Sequence, residues 1–214
     1  KKINKVIKVL IYSDIVLLSG LGFIIPLFAI FIADNIEGGD VQVAGIAAAI
    51  YWIIKSIITI PFGNLLDKIK GEKDDLYFVV IGNCFMASSI FGYIFAQTPW
   101  HVYLLQATYA IGMSMNIPAF TALFTRHIDK GKEAMEWGTR SAAISAGTGV
   151  AGIIGGFVAK HYGFPALFTI AGIIVFLSSA LPFFIYHELN PQAKKGRRVY
   201  QRKSSSPPVP KKYD

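Results

Sequence analysis

The sequence predicts an all-α membrane protein with six transmembrane helices. Three observations carry that expectation. Of the residues, 53% are hydrophobic and only 16% are charged, against about 25% charged in typical soluble domains. The apolar residues come in long blocks, and a spanning helix needs about 20 mostly apolar residues. Nearly all of the 21 Lys and Arg fall outside those blocks, in links and at the ends.

The elements follow in order. The spans are expected at about 9–33, 43–66, 77–96, 102–124, 141–159 and 166–186, forming one domain over 9–187. The first follows Lys1, Lys2, Lys5 and Lys8 and exceeds the 7–15-residue apolar region of a signal peptide, so it reads as a retained helix. Asp34–Asp40 is an acidic link, Asp67–Asp75 is dense in charge and Thr98-Pro99-Trp100 is a tight turn. Arg126–Arg140 reads as a charged loop, and His161–Pro165 as a turn.

Orientation follows the positive residues of the short loops. With the N-terminus cytoplasmic, nineteen Lys and Arg fall on the cytoplasmic side and one, Lys160, on the other. Both termini are therefore expected to be cytoplasmic, on a multi-pass protein of the cell membrane. Residues 1–8 form a basic start, and 188–214 read as a disordered basic tail. That tail either fixes topology or holds anionic lipid head groups. A net charge of +8 distributed in this way argues against a nucleic-acid partner.

A shift of 92 positions lays Pro26-Leu27-Phe28 on Pro118-Ala119-Phe120, and Gly63 on Gly155. Three helices map onto three. Because three spans reverse direction, the triplets form a 3+3 inverted repeat, a pattern of secondary transporters.

Several residues inside the blocks are candidates for chemistry. Lys55 lies mid-helix, where a Lys costs about 2.5–3.5 kcal/mol to insert. It reads as facing a wet cavity and an anionic solute, or else as an ion-paired or snorkelling side chain. Asp14, the only acidic residue within a block, is a candidate coupling site, or a carboxylate exposed at a helix end. Gln106, Tyr109, Met113 and Asn116 recur at helical spacing on one face. They suit hydrogen bonding to a solute or between helices. Gly152 and Gly156 form a G-x-x-x-G pair for close helix packing. Cys84, the single cysteine, reads as a small buried hydrophobe. His101, His127, His161 and His187 are scattered and lack ligand spacing, so no metal is expected. Neither a G-x-S-x-G elbow nor a phosphate loop is present, so no catalytic residues and no cofactor are expected.

The loop Gly63-Asn64-Leu65-Leu66-Asp67-Lys68-Ile69-Lys70-Gly71 resembles the major facilitator superfamily signature G-x-x-x-D-[RK]-x-G. Gly63, Asp67 and Lys68 match, while Lys70 stands where the family has glycine. Gly22-Phe23-Ile24-Ile25-Pro26 is similar to the family's first helix, and Gly112 with Pro118 to its fourth. Gln106 stands where many members carry arginine, and Ala151-Gly152 replaces the Gly-Pro of the drug antiporters.

The resemblance implies one six-helix half of a twelve-helix architecture and a secondary transporter working by alternating access. A second copy of the chain would complete it as a homodimer, with a heterodimer as the alternative. The solute would be small and, with two Lys55 side chains around one cavity, anionic or zwitterionic. Gly63, Asp67 and Lys68 would form a conformational gate, Asp67 meeting the partner's fifth helix near Arg140. A non-transporting membrane scaffold, in which the same residues only pack, is the competing class.

Overall fold

The computed structural model describes residues 5–69 and 71–189. Lys1, Lys2, Lys70 and the basic tail from residue 190 onward lie outside the described residues. Within them the chain is all helix, with no strand.

Helix α1 runs Lys5–Gly22 and α2 runs Phe28–Asn35. Between them Ile25–Leu27 tightens into a 3-10 turn at Pro26, which has no N–H to continue the ladder. Helix α3, Val41–Lys68, starts where the Asp40 side chain accepts from the Val43 N–H at 2.8 Å. Helix α4, Glu72–Gly92, carries Glu72, Asp74 and Asp75 in its first turn, complementing the positive helix end. This start is five residues earlier than the apolar block indicated, because charge and not hydropathy begins the helix.

Helix α5, Pro99–His127, opens on Pro99 and a capping box between Thr98 and His101, and closes on Arg126 and His127. Helix α6, Glu133–Ser178, is interrupted at Gly163, whose φ of 82° and ψ of 171° are open mainly to glycine. Two helical segments result, 133–162 and 164–178. Pro165 follows the break, and Leu181–Ile185 ends the fold as a 3-10 turn at Pro182. The region Arg126–Arg140, expected as a loop, is the last two residues of α5, a short link and the first two turns of α6. Buried Glu136 and the ring of Trp137 against Phe124 fold it onto the core.

Four helical stretches are long and apolar enough to cross a membrane: Lys5–Asn35, Val41–Lys68, Glu72–Phe95 and Glu133–Ile185. Helix α5 is not among them, although its 29 residues give it the length. Gln106, Ser114, Asn116 and its threonines dilute its hydropathy. Only 11% of the most apolar window of α3 is buried, against 44% in the other three, so α3 lies at the periphery.

The core has two apolar clusters with a polar layer between them. One gathers Leu21, Phe31, Ile90, Val102 and Phe168. The other gathers Leu10, Leu76, Leu123, Phe124 and Ile185. Between these, in chain position on α1, α4, α5 and α6, lie buried Ser13, Asp14, Asn83, Asn116 and Ser178. The described ends meet, since Lys5 Nζ lies 2.5 Å from Glu188 Oε1. That end of the bundle, called the terminal end below, also holds the end of α3, the starts of α4 and α6 and the end of α5.

The 92-position repeat is used unequally. Pro26 breaks the chain between α1 and α2, whereas Pro118 sits inside α5. Gly63 has open space beside it, whereas a Cβ on Gly155 would lie 2.6 Å from the Phe23 carbonyl oxygen.

Candidate functional site

The polar stripe of α5 opens into two cavities. The first, about 170 Å³, lies in the half away from the terminal end. Gln106 and Tyr109 line it with Tyr93 and an apolar wall from Leu21, Ile24, Ile25, Phe28 and Ile90. Tyr93 is buried at 4% exposure. Among the described residues, no charged side chain lines this cavity.

Lys55 approaches it indirectly. Its Nζ donates to Tyr51 Oη at 3.2 Å and lies over the Trp52 ring at 4.6 Å. The Tyr51 ring in turn packs on Tyr109, centroids 5.5 Å apart. Lys55 makes no ion pair with any described residue, so its charge is held by aromatic faces. Asp14 and Lys55 are therefore not partners.

The second cavity, about 160 Å³, is lined by Asp14, Asn116, Thr121 and Arg140 among apolar neighbours. Asp14 Oδ2 lies 2.5 Å from Arg140 Nη2, and Asp14 is only 4% exposed. The carboxylate is thus buried and paired, not exposed at a helix end. The Arg140 guanidinium rests 5.0 Å from the Phe120 ring and 5.4 Å from that of Trp137.

Asn116 serves helix contacts directly. Its Nδ2 donates to Asn83 Oδ1 at 2.7 Å, and Asn83 Nδ2 donates to Ser178 Oγ at 3.2 Å. Ser13 Oγ donates to the Ser178 carbonyl at 3.2 Å. Four helices thereby share one buried relay. The structure brings Gln106 and Tyr109 together, and sends Asn116 to the other cavity with Asp14.

The loop signature faces a third space. Gly63 and Asp67 line an open cleft of about 510 Å³ between α3 and α5, with Pro118, Thr125 and Arg126. Asp67 and Lys68 are exposed, and neither forms an ion pair with a described residue. Arg140, expected near Asp67 of a second chain, is engaged by Asp14 of its own chain. Of the glycine pair, Gly152 makes ordinary contact with Gly22 and Pro26 at 3.7 Å, and Gly156 has nothing within 4 Å. The tight helix crossing is made instead by Gly155 on Phe23 and by Gly22 on Thr148. Cys84 is half-buried.

Charge at the terminal end exceeds what the motifs suggested. Asp75, at 0% exposure, lies 2.5 Å from Arg126, and Glu72 lies 3.9 Å from Arg126 and 3.8 Å from His127. The signal available in the sequence was pairing of type: an acidic start to α4 opposite a basic end to α5.

Long apolar helices, buried polar layers and solute-sized cavities between helices define a multi-pass membrane protein built around small spaces. The chain belongs to the Major Facilitator Superfamily, which residues 15–210 match. It is 27% identical over 181 residues to the multi-drug resistance efflux pump PmrA of Streptococcus pneumoniae, covering 83% of this chain and 44% of the pump. It is 29% identical over 145 residues to the multidrug resistance protein MdtG of Salmonella dublin, covering 68% of this chain and 35% of that protein. In structure it resembles the POT family transporter PepTSo with a TM-score of 0.68 and 15% identity, covering 99% of this chain and 40% of the other. The chain thus spans less than half the length of these relatives, and its family is one of transporters and not of enzymes.

Proposed function

We propose that the chain is a six-helix unit of a secondary transporter, and that two copies face each other across a solute site and work by alternating access. In this reading α5 and the two segments of α6 complete the six spans, and both termini lie in the cytoplasm of a cell whose plasma membrane holds the protein. The observation that carries the reading is that 99% of this chain superposes on 40% of a transporter. In this reading a second copy closes the site. Two exposed apolar faces support the pairing. On α3 they are Ile53, Ile57 and Ile60, and on the first segment of α6 they are Val150, Ile153 and Phe157. Gly149 and Gly156 flank the second face with open space beside them, which suits close approach of another helix.

The solute contacts are Gln106 and Tyr109, with Lys55 set behind Tyr51. A cavity with an apolar wall, one amide and a nearby ammonium favours an amphipathic solute carrying an anionic group. The efflux relatives support export of such a molecule. Asp14 contributes to coupling, Asp67 to the contact between units, and the basic tail to anionic lipid.

Uptake into proteoliposomes of organic anions against organic cations of equal size tests this. The expected result is preference for anions, lost in Lys55→Ala. Equal flux of both classes, unchanged by that substitution, would refute the anionic assignment. Absence of any saturable flux would favour a packing role for the same residues.

A further inference from the structure

The start of α6 holds a charge that neither cavity explains. Glu136 is 0% exposed, and neither of its carboxylate oxygens has a hydrogen-bond partner. One turn further on, Arg140 meets Asp14 through Nη2 while its own Nε is buried without a partner. Residues four apart on a helix are neighbours, with Cβ atoms roughly 5–6 Å apart. An unfilled acceptor and an unfilled donor therefore share one helix face, while the guanidinium is committed to a carboxylate on α1.

The surrounding charges are engaged elsewhere. Lys5 of α1 meets Glu188, and Lys132 meets Asp129. Arg126 and His127 of α5 meet Asp75 and Glu72 of α4. Lys8 of α1 is exposed, and exposed Glu133 accepts from the Gly131 N–H at 3.1 Å.

We propose that Arg140 is a shared counter-ion moving between Asp14 and Glu136, and that a proton occupies whichever carboxylate it leaves. A bare buried carboxylate is strongly disfavoured, and a proton or a cation relieves it. One guanidinium, one carboxylate and one carboxylic acid sum to zero charge in either arrangement. As Arg140 reaches Glu136, the Glu136 O–H bond breaks and its proton leaves to water at the terminal end. Asp14, now without its cation, takes a proton from water entering the adjoining cavity. The Phe120 and Trp137 faces hold the guanidinium along the way without offering a rival carboxylate.

The exchange has a mechanical consequence. With Arg140 on Asp14, α1 and α6 are tied together. With Arg140 on Glu136, the bond is internal to α6 and α1 is released. A role as the proton-coupling step rests on the transport reading above; the exchange itself does not.

Infrared spectroscopy of the full chain in lipid vesicles tests it without any transport assay, so either reading can fail alone. The C=O stretch of a protonated carboxyl is followed at neutral pH. The expected result is a buried-acid band in the parent that Glu136→Gln abolishes. Asp14→Asn, which leaves Glu136 in place, abolishes it too, because Arg140 is free to pair with Glu136. A buried acid with a purely structural role would keep its band in Asp14→Asn, and that result overturns the proposal, as does a parent without the band. Should Asp14→Asn lose its helical content, Arg140→Gln decides: both carboxyls then hold protons and the band doubles, whereas an unchanged band refutes the shared counter-ion.

Discussion

The two halves of the bundle handle charge in opposite ways. Away from the terminal end, the mid-helix cation Lys55 rests on tyrosine and tryptophan faces, and no charged side chain among the described residues lines the cavity beside it. Toward the terminal end, Asp14 with Arg140 and Asp75 with Arg126 form short pairs that tie one helix to another. Aromatic faces accept many partners and fix no register. A buried pair between helices adds little net stability but selects one arrangement, since removing one partner strands the other. The difference separates a region suited to binding from a region suited to switching.

The largest expected effect of breaking that contrast is at Arg126. Arg126→Met removes the cation 2.5 Å from fully buried Asp75, and should destabilise the protein by about 3–5 kcal/mol, read as denaturant unfolding in detergent. Lys55→Met removes a cation with no ion pair to strand, and should cost no more than about 1 kcal/mol in the same measurement. Equal losses at the two sites would erase the distinction between the halves.

Packing gives the next effect. A Cβ on Gly155 would meet the Phe23 backbone at 2.6 Å, so Gly155→Ala must displace α1 and should cost about 1–3 kcal/mol. Gly156→Ala enters open space, and should stabilise by up to about 1 kcal/mol through helix propensity. The thermal midpoints of the two variants should therefore move in opposite directions. An effect of similar size to that at Gly155 is expected in the polar layer. Asn116→Ala leaves Asn83 Oδ1 without its 2.7 Å donor, for a loss of about 1–3 kcal/mol if no water replaces it. A midpoint unmoved by this change would mean that the relay is wet.

Local signals made much of this legible in the sequence. The Thr98-Pro99-Trp100 and His161–Pro165 turns act within a few residues of themselves and were read as turns, whereas 9–33 read as one span, and the break at Pro26 and the Asp40 cap show only in the fold. The α5 stripe was legible as a face but not as two sites. Ten residues separate Gln106 from Asn116, which is about 15 Å along a helix, so one stripe reaches different depths. Glu136 and Arg140 were hidden for a different reason. Their region reads as a charged loop, and only packing against Phe120, Phe124 and α1 makes it a buried helix start. The G-x-x-x-G spacing named Gly152 and Gly156, yet the α1 crossing falls on Gly155, because which face meets a neighbour is set by tertiary contact.

The most direct test of a working unit made from two copies is cysteine crosslinking in membranes. In a chain with Cys84→Ala, cysteines are placed at Ile57 on α3 and Ile153 on α6, both exposed at 64% and 77%. The account predicts rapid oxidation to a crosslinked dimer when both cysteines are present, slower when either is alone, and protection by a transported solute or its analogue. A chain that stays monomeric under the same oxidation, with both cysteines open to a lipid-soluble thiol reagent, would contradict it.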